Sequence, residues 1–225
     1  MPAEVETLYT HGRVTLRAIR EPEAGIGGYV FAEWYGGQPV IAVLPYRHSP
    51  TGLQLLLTDE RVPCWPETTL SAVTGAPEQT DPIDDAVREL QEETGFHLDS
   101  SHLVTLGWCR DSKGSSTRYQ MFAANVTGLE PGPRTGDGSR LEAEATCTWI
   151  TLQQLPDVRH SIAHVLTIRL LAHLAAERHA VFAEPFSRPA LPPDGVTPSR
   201  TGIWPGDPVP RRSAQAGPWS AGAER

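Results

Sequence analysis

Glu89, Glu92 and Glu93 fall within the run Arg88-Glu89-Leu90-Gln91-Glu92-Glu93-Thr94-Gly95-Phe96. On a helix they occupy positions i, i+3 and i+4 and project from one face. Three carboxylates on one face repel one another, and they sit toward the helix C-terminus, the end the macrodipole makes unfavourable for negative charge. A divalent cation resolves both conflicts. Hard oxygen ligands at this spacing suit Mg²⁺ or Mn²⁺, which can polarise a phosphoryl oxygen and activate a water. The competing reading is a solvated acidic helix face. Four neighbours favour the metal: Leu90 and Phe96 put apolar contacts around the acids, Gly95 lets the backbone turn where the helix ends, and Arg88 supplies a cation beside the carboxylates.

Residues 88–96 resemble the second half of the Nudix box at every specified position: Arg-Glu-aliphatic-x-Glu-Glu-x-Gly followed by an apolar residue. The resemblance implies that Glu89, Glu92 and Glu93 bind the metal and that Arg88 orients them. The first half of the box departs from the family. Thr74 and Thr80 stand where the pattern has glycine and glutamate, while Gly75 comes one position late and Glu78 and Asp81 lie close to the missing glutamate. In the family that glutamate partners the box arginine, so Asp81 or Asp84 is the expected substitute partner of Arg88.

Further segments are similar, in the same order, to the ADP-ribose pyrophosphatase branch of that family. They are Arg61 followed by Trp65; Asp111-Ser112-Lys113-Gly114 followed by Tyr119-Gln120-Met121-Phe122; and Glu142 and Glu144 ahead of Trp149. The resemblance implies a hydrolase that cleaves the pyrophosphate bond of a nucleoside diphosphate linked to X, with ADP-ribose or a nucleotide sugar foremost. It makes Arg61, Ser112 and Gly114 the substrate-binding candidates. The loop over residues 127–144 would carry the general base, Glu142 first and Glu144 second. It also implies a homodimer built partly from residues 10–38. The alternative from another class is a Nudix-fold module that senses a nucleotide without turning it over, which Thr74 and Thr80 favour.

These side chains need elements to hold them. Strands are expected at Val14–Ile19, Tyr29–Tyr35, Val40–Tyr46, Leu53–Leu57, His102–Cys109, Tyr119–Val126 and Ala145–Ile150, each bounded by turn signals or apolar alternation. Two helices are expected. One covers Pro82–Thr94, opened by proline and stopped by Gly95; the other covers Ser161–His179, with Ile162, Val165, Leu166, Leu170 and Leu174 at helical spacing. Many short strands with two helices point to an α+β fold with a mixed sheet, and the resemblance makes it a Nudix-like α/β/α sandwich. The expected organisation is an N-terminal strand region over 1–38, a hydrolase domain over 39–183, and a tail over 184–225 whose proline and glycine content signals disorder.

Composition narrows the partners. The 225-residue chain carries a formal net charge of -8, so it offers no overall basic field for nucleic acid. Cys64, Cys109 and Cys147 are widely spaced, with no C-x-x-C pair, which argues against a disulfide framework or a structural zinc site. The N-terminal residues lack a signal-peptide pattern, and the most apolar helical run is broken by His164, Arg169 and His173, so a cytoplasmic chain is expected. His160 and His164 have metal-ligand spacing but no third ligand and read as ordinary helix histidines. Trp34 and Tyr35 are suited to packing or a subunit contact before base stacking.

Overall fold

The computed structural model describes residues 4–21, 26–78, 81–136, 138 and 144–180. The expectations for Thr80, for Glu142 and for the tail at 184–225 lie outside these residues. Among the described residues the elements are β1 (Glu4–His11), β2 (Val14–Glu21), β3 (Ile26–Trp34), β4 (Val40–Ser49), β5 (Gly52–Glu60), β6 (Thr69–Ser71), β7 (Val73–Gly75), α1 (Pro82–Thr94), β8 (Leu103–Arg110), β9 (Arg118–Asn125), β10 (Thr146–Thr151) and α2 (Ser161–Ala180).

The main sheet has the order β10-β5-β4-β9-β8, with β6 added to β5 and β7 to β4. β4 and β9 run parallel and the other pairs antiparallel, so the sheet is mixed. Its central strands are apolar on both faces, as strands covered by helices on both sides must be. Alternation divides them. Ile41 and Val43 of β4, Leu56 of β5 and Phe122 of β9 join Ala86 and Leu90 of α1 in one core. Ala42, Leu44, Leu55, Leu57 and Met121 join Ile162, Ala163, Leu166 and Leu170 of α2 in the other. The result is the expected α+β sandwich, a mixed sheet between two helical layers.

α1 begins and ends where the sequence places it. The Asp81 side chain accepts from Ile83 N at 2.9 Å, Pro82 opens the first turn, and Gly95 closes the helix at φ 78°. The Gly95 position is also crowded: a Cβ there would collide with the carbonyl of Gly132. A second, antiparallel sheet, β1-β2-β3, precedes the sandwich. It is joined to the loop ahead of β9, because Ala32 N donates to Gly114 O and Ser116 N donates to Ala32 O, both at 2.9 Å. The Tyr29 hydroxyl donates to Lys113 O at the same seam.

Candidate active site

α1 presents the acidic face to the end of β7. Arg88 lies at its centre: Nη2 donates to Glu89 Oε1 at 2.7 Å and Nη1 to Glu92 Oε2 at 2.7 Å. Nη2 also reaches Asp85 Oδ1 at 3.3 Å and Ala76 O at 3.1 Å. Burial pulls the guanidinium pKa down, but Glu89, Asp85 and Glu92 more than offset this and hold it above its ordinary value. Glu93 accepts from Thr74 N at 3.3 Å. Four residues chosen from sequence, Arg88, Glu89, Glu92 and Glu93, are thus brought together where α1 meets β7.

Gly75 lies directly against this acidic face. The buried Glu89 carboxylate occupies the space that any side chain at position 75 would need, since a Cβ there would fall well inside 3 Å of it. The residue that must be small is therefore Gly75, paired with Ile41 across β7 and β4, and Thr74 is accommodated one step earlier in the strand. The partner of Arg88 also differs from expectation. Asp81 is spent on the helix N-cap, and it is Asp85 that meets the guanidinium. The i, i+3 spacing of Asp85 and Arg88 is the sequence signal that would have found it.

The acidic donor set fits a hard divalent cation in chemistry. Asp85, Glu89, Glu92 and Glu93 supply carboxylate oxygens, the ligand type such an ion takes. As the side chains stand, no group of three or more His, Cys, Asp or Glu residues is gathered into a metal-clasping arrangement among the described residues. Arg88 itself holds three of these carboxylates, those of Asp85, Glu89 and Glu92.

The loop following β9 docks on the C-terminal end of this helix. Gly132 N donates to Gly95 O at 2.8 Å, Gly136 N to Glu92 O at 3.2 Å, and Arg134 Nη1 approaches Glu93 O at 3.5 Å. From the β10 side, the Cys147 thiol donates to Glu93 O at 3.4 Å. Helix-end carbonyls beside the acids are thus satisfied by the loop that leads toward Glu144. Glu144 is exposed, two residues ahead of β10.

Beside Gly75 opens a cavity of about 180 Å³, walled by Trp34, Tyr35 and Tyr119, with Asp111, Thr74 and Thr117 supplying polar groups. Tyr35 sits at φ 51°, a left-handed conformation that is costly for an aromatic residue. It is fixed there by its own N–H donating to Arg13 O at 2.8 Å and by the Arg13 guanidinium 5.5 Å from its ring centre. Burial, then Asp111, Cys109 and Tyr35, push the Tyr119 hydroxyl up to about 12, so it remains a neutral hydrogen-bonding group at physiological pH. A larger groove of about 640 Å³ lies between the β4–β5 hairpin and α2, lined by residues such as Leu53, Leu171 and Leu174. Among the described residues its lining holds no carboxylate, so the smaller cavity next to the acids is the candidate site.

The remaining sequence candidates lie after β5, in the loop ahead of β9 and at the start of α2. Arg61 is exposed just after β5. Gly114 gives its carbonyl to Ala32, and Ser112 N donates to Asp111 Oδ1 at 2.7 Å, so both shape the loop that carries Asp111 to the cavity. His160 Nδ1 accepts from Ala72 N at 3.1 Å and His164 Nε2 meets Val158 O at 2.7 Å. These histidines brace the start of α2.

The fold resembles that of a solved ADP compounds hydrolase. The two align over 77% of this chain and 93% of the other, with a TM-score of 0.59 and 18% sequence identity. A solved T. brucei MERS1–RNA complex aligns over 54% of each chain at 15% identity and a TM-score of 0.42, too low to argue from. No family model and no curated protein matches the sequence. Among the described residues, no helix is long and apolar enough to cross a membrane.

Proposed function

We propose that this chain hydrolyses the diphosphate linkage of a nucleoside diphosphate joined to a second group, with ADP-ribose or a nucleotide sugar as the first candidates. The observation that carries this reading is the assembled face of Arg88, Glu89, Glu92 and Glu93 at Gly75, beside an aromatic-walled cavity. Glu89, Glu92 and Glu93 would hold Mg²⁺ or Mn²⁺, and when bound the ion neutralises phosphate charge and acidifies a water. Arg88 keeps Glu89 and Glu92 in place. Trp34, Tyr35 and Tyr119 offer flat apolar surface to a nucleobase, with Asp111 and Thr117 as polar partners; the cavity's position next to Gly75 leaves the diphosphate at the acids. Arg61, Ser112 and Gly114 are retained as substrate-side candidates. Glu142, with Glu144 second, is the proposed acceptor of the attacking water's proton.

The proposal includes a cytoplasmic homodimer built through the N-terminal sheet. Tyr9, Leu16, Val30 and Trp34 share one face of β1-β2-β3 by register and are exposed in the single chain. The experiment that tests the function is a panel of nucleoside diphosphate compounds incubated with Mg²⁺ and assayed for released phosphomonoester. Turnover of ADP-ribose or a nucleotide sugar supports the reading. Tight binding across the panel without turnover would instead establish a nucleotide sensor.

A further inference from the structure

We infer that Asp85 is the positioning residue of this site, taking the part the sequence leaves open at Thr80. This rests on the proposed hydrolase reading. Asp85 is 1% exposed, and a carboxylate that deep in a fold is retained only where its charge and lone pairs are met. Among the described residues, Glu78 and Arg88 meet it here. Glu78 N donates to both oxygens, at 3.1 and 3.2 Å, and Arg88 Nη2 approaches Oδ1 at 3.3 Å.

These contacts do two things at once. The first fastens the segment after Gly75 onto α1, reinforced by Arg88 donating to Ala76 O. The second fixes the guanidinium that holds Glu89 and Glu92, each at 2.7 Å. Glu78 itself stands only at 3.9 Å from Arg88 Nε and is half-exposed, so it is a poor substitute for a buried partner. Asp81 is committed to the helix N-cap. Asp85 therefore links the loop, the arginine and two carboxylates without touching the reacting atoms. Loss of such an outer partner typically lowers metal affinity or activity by about 10- to 100-fold.

The test uses Asp85→Asn, which keeps shape and one acceptor while removing the charge, and Thr80→Glu/Asp85→Asn, which restores an acid at the open position. Two readouts are made on the full chain. The first is the ¹⁵N NMR signal of the Arg88 guanidinium, assigned with Arg88→Lys, alongside the amide spectrum as a control for folding. The second is Mn²⁺ affinity measured by electron paramagnetic resonance. The expected result is slow-exchanging Arg88 Nη protons in the unaltered protein and their loss in Asp85→Asn. Mn²⁺ affinity should fall about 10- to 100-fold in that variant, with recovery of both signals in the double variant. Arg88 signals unchanged in a folded Asp85→Asn protein, or Mn²⁺ affinity unchanged, would overturn the inference. If Asp85→Asn does not fold, recovery of the fold and of the Arg88 signals by Thr80→Glu supports it, and failure to recover overturns it. Arg88 signals that respond to Asp85 in a protein that binds no Mn²⁺ would leave the positioning role standing and sink the metal-dependent hydrolase reading instead.

Discussion

Gly75→Ala is a small substitution with a large expected effect. The added Cβ would fall inside 3 Å of the Glu89 carboxylate, whereas ordinary contacts begin near 3.4 Å. Glu89 is 5% exposed, so its carboxylate cannot swing into solvent without leaving Arg88. To fit, the carboxylate or β7 must retreat by more than about 1 Å, the scale of misplacement that costs roughly a hundredfold in rate. Overpacking of this kind costs about 1–3 kcal/mol. For a chain of this size each kcal/mol lowers the Tm by about 2–4 °C, so a drop of roughly 2–12 °C is expected. The check is a melting curve and kcat for Gly75→Ala, Glu89→Ala and the double variant. Glu89→Ala vacates the space, so the Gly75→Ala penalty on Tm should shrink sharply in its background while activity stays lost. A Gly75→Ala protein with unchanged Tm and kcat would refute the reasoning, because it would mean that Glu89 does not rest on this glycine.

Three further outcomes are expected. Burial, then His164, lowers the His160 pKa from 6.5 to about 4, so the neutral ring belongs to the fold. The unfolded chain takes up that proton first; His160 contributes fully above about pH 6.5, and its contribution is lost as pH falls toward about 4. His160→Gln should flatten the stability slope across that window, as followed by urea unfolding. Trp34→Ala removes an aromatic wall of the cavity, and stacked aromatics are worth about 1–3 kcal/mol per base, so KM should rise about 5- to 150-fold with a smaller change in kcat. Truncation after Ala183 is expected to leave Tm and hydrolysis unchanged by differential scanning and rate assay, because the sequence beyond it has the composition of a chain that builds no core.

The sandwich was legible because its signals are local and repeated. β4, β5 and β9 announce themselves as apolar runs, and α1 carries its start at Pro82 and its stop at Gly95. β1 escaped because every residue in it is exposed and a register shift between Thr7 and Tyr9 breaks its alternation. β6 and β7 are three residues each, too short to show a period. In the site, the spacing of Glu89, Glu92 and Glu93 sufficed to place them on one face. The cavity did not follow from spacing, since it brings Trp34 of β3 against Asp111 and Tyr119 of the distant β8–β9 hairpin through pairing of Ala32 with Ser115. The expected repulsion among the glutamates also needed correction. Arg88 binds two of them, so removing Glu92 gives up a 2.7 Å ion pair as well as a like charge.

The central claim is that Glu89, Glu92 and Glu93 work with a divalent ion, and Glu92→Gln tests it most directly. Melting curves with and without Mn²⁺, together with hydrolysis rates in Mg²⁺, are compared for the unaltered protein and the variant. The account predicts that Mn²⁺ raises the Tm of the unaltered protein, because a bound ion stabilises the folded state by mass action. In Glu92→Gln that rise should shrink, with hydrolysis down at least about a hundredfold, since losing metal-organised charge stabilisation costs several kcal/mol. An unaltered protein whose melting curve ignores Mn²⁺, and a variant with an undiminished rate, would contradict it.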